Sequence, residues 1–441
     1  MYLLGLSEIP LPVTNFNLKD MNRFNLSLLI TSLLLQFLGY SVSGQEYPCE
    51  KTMVESLQHT AWVLNKPESK ALWNVSLNAP IIIIDHFNNK MFFTSIEDGR
   101  VQAIKEEPWD NKVPLANSFF DYEGKRYVTI IHAALMNSPC QQRINLLSHE
   151  IFHTYQKSLG IENQYSVNYY MDEVQGRALL QIELKALQAA LSGDSMRLHD
   201  ALYIRTYRQS LYPNNNEDLY ELNEGLAEYT GVKLSTENMQ EYVKNRLNYD
   251  ISRGYTNAFG YFTGSAYATI LDQIYAEWRY DKDLAKGLIY LIKKAEPQYA
   301  VTINKSTLDK LLIKYDYAQI VANEKEELKS FGDIEKFKDL LKPETSKLCI
   351  ANQKINFTYN PNDRVISLGD AVLLRNMSIM GEWGQIKAEN GIVRMNNWSA
   401  FYLLPPTNIT NNAIQGDSYE IQINQGWKVV EEHGIYSIVK E

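Results

Sequence analysis

The chain has little cysteine, little histidine and no surplus of positive charge. Its three cysteines, Cys49, Cys140 and Cys349, are scattered through 441 residues with no CxxC pair. That spacing argues against a cysteine-ligated metal site, and export would permit one disulfide and leave one spare thiol. A net charge of -9 excludes the concentrated basic face that nucleic acid requires. Internal repeats and low-complexity tracts are absent as well. What is there is ordinary globular composition, 45% apolar and 22% charged, in a chain long enough for two or three domains.

Long apolar runs are also missing, with one exception near the N-terminus. From Met21 the sequence carries one basic residue, Arg23, then an apolar stretch from Leu26 to Tyr40, then the small residues Val42, Ser43 and Gly44. This is the order of a secretory signal peptide, with cleavage expected after Gly44. The run is short for a membrane-spanning helix, so a membrane anchor is the alternative and no stable span is expected once the signal is removed. Residues 1–20 are unlike a targeting signal, which puts the expected translation start at Met21. The expectation is an exported protein: periplasmic, extracellular or cell-surface.

The rest reads as α+β. Residues 80–84 (PIIII), 89–96 (NKMFFTSI) and 125–135 (KRYVTIIHAAL) read as strands. The chain then turns helical: over 143–158, stopping near Gly160; over 170–192, stopping before Gly193; as a pair over 217–248; over 260–278; and again over 282–342. The small residues Gly264, Ser265, Ala266 and Ala268 would let the 260–278 helix pack closely on a neighbour. From about residue 352 short strands follow, separated by turn signals such as NPND (360–363) and AENG (388–391). The domain reading is a signal peptide over 1–44, a main domain over 45–342 and a small all-β module over 343–441.

One motif carries chemistry. Residues 149–153, His-Glu-Ile-Phe-His, sit in the apolar run INLLSHEIFHTYQ. On a helix, positions i and i+4 share a face. His149 and His153 can then hold one ion between them, with Glu150 beside it to hold and deprotonate a bound water. Zinc lowers the pKa of such a water to about 7. The bland alternative, a surface helix with two solvated histidines, does not explain the apolar residues Leu146, Leu147, Ile151 and Phe152 around it.

A hydrolytic zinc takes three protein ligands and keeps one position open. In LNEGLAEYTG (222–231), Glu224 and Glu228 are again i and i+4. Glu224 would bind the metal and Glu228 would accept the outer N–H of a ligand histidine. Glu173 is the rival third ligand, at a shorter interval from His153, but Arg177 lies one turn beyond it and makes a plain i, i+4 ion pair with it the simpler reading.

HEIFH and NEGLAEY together resemble the gluzincin zinc metallopeptidases, the class that includes thermolysin-like and zinc aminopeptidase-like enzymes. The resemblance spans roughly residues 125–280. It implies a small sheet beside a mostly helical zinc-protease core, zinc ligands His149, His153 and Glu224, and Glu150 as catalytic base. The interval between His153 and Glu224 is much longer than in the thermolysin-like members, with the 170–192 helix as an insertion. The GxMEN-type stretch that binds a substrate amine in the aminopeptidases is not present. Related enzymes place a Tyr or His after the glutamate helix to face the oxyanion. Tyr261 is the first choice here, with Tyr267, Tyr255 and His199 as alternatives.

Arg177 is a candidate for binding a substrate carboxylate, with a structural ion pair as the competing reading. The strand YVTIIHAAL is the expected cleft edge, to which a peptide or protein substrate would add. His86 and His132 read as structural. Trp383, Trp398, Tyr402 and Trp427 read as core, or as a docking face for glycan or protein. The expected function is a secreted zinc-dependent peptidase. A zinc hydrolase of another amide, such as a cell-wall bond, and a non-catalytic zinc-containing surface protein are the alternatives. Natural substrate and oligomeric state are not legible.

Overall fold

The computed structural model describes residues 51–441, apart from residues 111, 163–166, 215, 237, 249–252, 361 and 411. The signal-peptide reading and Cys49 lie outside the described residues. Cys140 is disulfide-bonded and Cys349 is a free thiol. No helix among the described residues is long and apolar enough to cross a membrane.

The fold is α+β: a helix-rich half with one mixed sheet, then an all-β half. After helices α1 (Met53–Leu64) and α2 (Pro67–Trp73), the first sheet is built from β1 (Ala79–Asp85), β2 (Lys90–Glu97), β3 (Arg100–Val101), β4 (Lys105–Pro108), β5 (Ser118–Tyr122) and β6 (Lys125–Ile131). Its order is β3-β2-β1-β6-β5, with β4 also on β2. Ile81, Ile82, Ile83 and Ile84 are fully buried because β1 is central, antiparallel to β2 and parallel to β6, with side chains packed on both faces.

Two expectations for this sheet need correction. The strand expected over 125–135 ends at Ile131, and His132–Asn137 is helix α3. Nor is that strand the edge. The edge is β5, which pairs only with β6 through the turn at Glu123 and Gly124. Both turn residues have positive φ, so the hairpin is signalled by the single glycine.

The helical half continues with α4 (Cys140–His153), α5 (Val174–Leu191) and α6 (Ser195–Leu211). A long helix, α7, then runs from Glu217 to Ser235 as Glu217–Tyr220, a π-turn at Glu221–Gly225, and Leu226–Ser235. It is followed by α8 (Met239–Arg246), α9 (Phe259–Ile274), α10 (Leu288–Ala295), α11 (Lys305–Lys314), α12 (Tyr317–Leu328) and α13 (Ile334–Asp339). One apolar core joins the inner face of the sheet to α1, α4, α5, α7 and α9. Close packing of α7 on α9 rests on glycine. A Cβ at Gly225 would lie 2.6 Å from the Cα of Gly264 and 2.7 Å from the carbonyl oxygen of Gly260.

The second half is an 11-stranded sheet with its own core. It begins at Lys347–Ala351, ahead of the expected residue 352. The AENG segment is not a turn. Gly384–Met395 is one strand with a bulge opposite Leu374 and Asn376, and the positive φ of Asn390 and Gly391 serves that irregularity. Phe337 and Leu340, in and just after α13, pack on Leu373 and Val393 of this sheet. Half-buried Trp398 has Arg394 3.9 Å over its ring and Phe357 stacked at 5.0 Å.

Candidate metal centre

Helix α4 is buried along almost its whole length, so its polar residues need partners inside the protein. His149 and His153 lie one turn apart, and their Nε2 atoms are 3.1 Å from each other. The π-turn of α7 brings Glu224 to them, with Oε2 3.5 Å from each histidine Nε2. These three residues form the one group among the described residues whose His, Cys, Asp or Glu donor atoms converge in this way, all within 4.8 Å. Ligand bonds of about 2.0–2.1 Å in a tetrahedron put donor atoms roughly 3.3 Å apart. The observed spacings bracket that value.

The outer nitrogens are also held. Glu228, one turn beyond Glu224, has Oε2 3.7 Å from His149 Nδ1. His153 Nδ1 is 2.8 Å from Gln156 Oε1, so its proton is donated outward and the Nε2 lone pair points at the centre. Gln156 donates in turn to the carbonyls of Leu222 and Asn223, which ties the end of α4 to the π-turn. Gln156 was missed from sequence. Its signal was the spacing His-x-x-Gln directly after the motif, in a 3-10 turn that follows the end of α4 at His153.

Electrostatics describe a cluster short of positive charge. Burial works against protonation of His149, yet the carboxylates of Glu224 and Glu228, 3.5 and 3.7 Å from its ring nitrogens, outweigh it and hold the ring up to about 10. Burial likewise pushes Glu224 up, and the two histidines overcome this to hold it well below the usual carboxylate range. A proton on His149 thus offsets part of the carboxylate charge around it. Glu150 is 2% exposed, burial raises its pKa, and its Oε2 has no hydrogen-bond partner among the described residues. Two imidazole nitrogens, one carboxylate and an adjacent orphaned carboxylate oxygen suit a divalent cation with a polar group bound beside it.

Tyr261, in the first turn of α9, stacks on His149 with ring centroids 5.5 Å apart and planes 3° from parallel. The alternatives are elsewhere. The Tyr255 ring lies under the Arg177 guanidinium at 4.3 Å, Tyr267 donates to Glu183, and His199 neighbours Tyr203 on α6. His86 packs against Phe87 with the rings tilted by 37°, and His132 is 3.9 Å from Asp85.

Arg177 is a correction. It is fully buried, with Nε 2.6 Å from Glu324 and Nη1 2.9 Å from Asp172, so it is sealed from any substrate. Nor does it pair with the Glu173 carboxylate, which is exposed at the start of α5 and outside the metal group; only the Glu173 carbonyl meets the Arg177 backbone N–H. The sheet-edge strand beside the cluster is β5, whose Phe119 ring lies 6.3 Å from His153. Comparison with protein-family models, with curated proteins and with solved structures finds no match for this chain.

Proposed function

We propose that this chain is an exported, zinc-dependent hydrolase of the gluzincin type, acting on peptide bonds. The observation that carries the reading is the convergence of His149, His153 and Glu224 beside a buried Glu150 oxygen that has no hydrogen-bond partner among the described residues. His149 and His153 would hold the ion through Nε2, and Glu224 through Oε2. Zinc, when bound, polarises a carbonyl and makes water acidic enough to attack it near neutral pH.

The remaining roles belong to the chain itself. Glu150, made more basic by burial, accepts the proton of the attacking water and passes it to the leaving nitrogen. Gln156 and Glu228 fix the orientation of the two imidazoles. Tyr261 is the hydroxyl assigned to the developing oxyanion. The edge position of β5 among the described strands, next to His153, favours an extended peptide over other amides, because a peptide strand can add to a sheet edge. The disulfide at Cys140 suits an oxidising compartment.

Metal analysis of the purified chain and of a His149→Ala, His153→Ala double variant tests the centre. One zinc per chain is expected in the first and none in the second; equal zinc in both would overturn the assignment. Glu150→Gln is expected to keep the metal and lose hydrolysis of a mixed peptide library by roughly 10²–10⁴-fold. Undiminished turnover would remove Glu150 from the mechanism.

A further inference from the structure

Among the contacts between the all-β half and the helical half, those of one loop lead to Tyr261. Residues 362–365 lie against the segment that opens α9. The backbone N–H of Gly254 donates to the carbonyl of Asn362 at 2.6 Å, and Arg253 and Asp363 form an antiparallel bridge. A side chain at Gly254 would collide with the Asp363 carbonyl, so the two backbones touch directly. Next along the loop, Arg364 donates from Nε to the carbonyl of Asp172 at 3.1 Å, with Nη1 3.1 Å from Glu324. The Val365 N–H donates to Asp172 Oδ2 at 3.3 Å.

Asp172 is the hub. Besides Arg177, its carboxylate accepts the backbone N–H of Tyr255 at 2.7 Å and of Thr256 at 3.3 Å. The Tyr255 carbonyl then accepts from Ala258 and Phe259, which starts α9, and Tyr261 follows in its first turn, stacked on His149. Asp172, Arg177, Glu324 and Arg364 are each at most 2% exposed. Four buried charges of balanced sign hold one geometry because any displacement leaves a charge unpaired.

We infer that Arg364 is a positioning residue of the metal centre: through Asp172 it braces the Tyr255–Tyr261 segment, so the C-terminal β half is part of the catalytic unit and not an appended docking module. This rests on the reading of Tyr261 as a member of the site. It predicts that loosening the loop moves Tyr261 and leaves the metal ligands, which hang on α4 and α7, in place.

The test uses the full chain with Arg364→Lys, which keeps the charge but loses the planar fork, and Gly254→Ala, which pushes the loop away while Arg364 stays. Three readouts are taken: zinc content, amide hydrogen exchange over residues 253–262, and kinetics on the best peptide from a mixed library. Expected for both variants are wild-type zinc, exchange about 10-fold faster confined to 253–262, and kcat lower by up to about 10²-fold with KM unmoved. In a Tyr261→Phe background the kinetic loss should largely vanish, because both changes act on one group. Unchanged exchange at 253–262 in both variants, exchange that quickens evenly along the chain, or kinetic losses that multiply with Tyr261→Phe would each overturn the inference. If the wild-type chain hydrolyses nothing, the hydrolase reading fails by itself, and the exchange measurement still decides whether the brace exists.

Discussion

Two buried polar centres lie in the helical half, and they are satisfied in opposite ways. Around Arg177, two guanidinium groups, Arg177 and Arg364, face two carboxylates, Asp172 and Glu324, at distances of 2.6–3.1 Å. Around His149, three carboxylates, Glu150, Glu224 and Glu228, face two imidazoles that are ordinarily neutral, and Glu150 Oε2 and Glu228 Oε1 make no hydrogen bond among the described residues. In the first centre two guanidinium groups balance two carboxylates in charge, although Arg364 Nη1 and Nη2 make no hydrogen bond among the described residues. The second has more carboxylates than the chain's own cations balance, and a proton on His149 offsets part of the excess. Burial alone therefore does not mark a functional site; an unmet electrostatic demand does.

The largest effect that sharpens this contrast is on stability. Arg177→Met should cost about 3–5 kcal/mol, because Asp172 and Glu324 keep buried charges without their partner, yet the zinc content of the folded fraction should not change. Denaturant unfolding with metal analysis checks it, and a loss of zinc at full stability would erase the distinction between the two centres. Stripping the wild-type chain with a chelator probes the other side. At free zinc 100 times its Kd, bound metal should add ~2.7 kcal/mol, so the melting temperature should fall on chelation and recover with zinc. A chain with both His149 and His153 replaced should not respond. The smallest change is Gln156→Leu. It leaves the ligands but frees the His153 ring, and should weaken zinc by about 10–100-fold in a competition titration with the Arg177 cluster undisturbed. Wild-type affinity in that variant would mean that the link from α4 to the π-turn does not tune the metal.

Much of the site was legible because its parts are local. His149 and His153 share a helix face by spacing alone, as do Glu224 and Glu228, and the apolar residues around HEIFH announce burial. The helices over 170–192 and 260–278 end within a few residues of expectation, because Gly193 and an apolar, small-residue pattern mark them. Strand β1 was legible for the same reason, as an uninterrupted apolar run. Strand β5 was not: SFFDY is short, and only its pairing with β6 makes it the edge.

What the sequence by itself determined is therefore the chemistry on offer: a paired-histidine helix carrying a glutamate, a second helix carrying spaced glutamates, and too little cysteine for another metal chemistry. Tertiary structure alone decided which carboxylate meets the histidines. Glu173 is nearer along the chain, but it caps an exposed helix start, while its neighbour Asp172 is taken up by Arg177 and the Tyr255–Thr256 backbone. Glu224 arrives because a π-turn and the Gly225–Gly264 contact set the depth of α7 against α4 and α9. Such a choice depends on the distance between helices far apart in sequence, a quantity that no local spacing encodes.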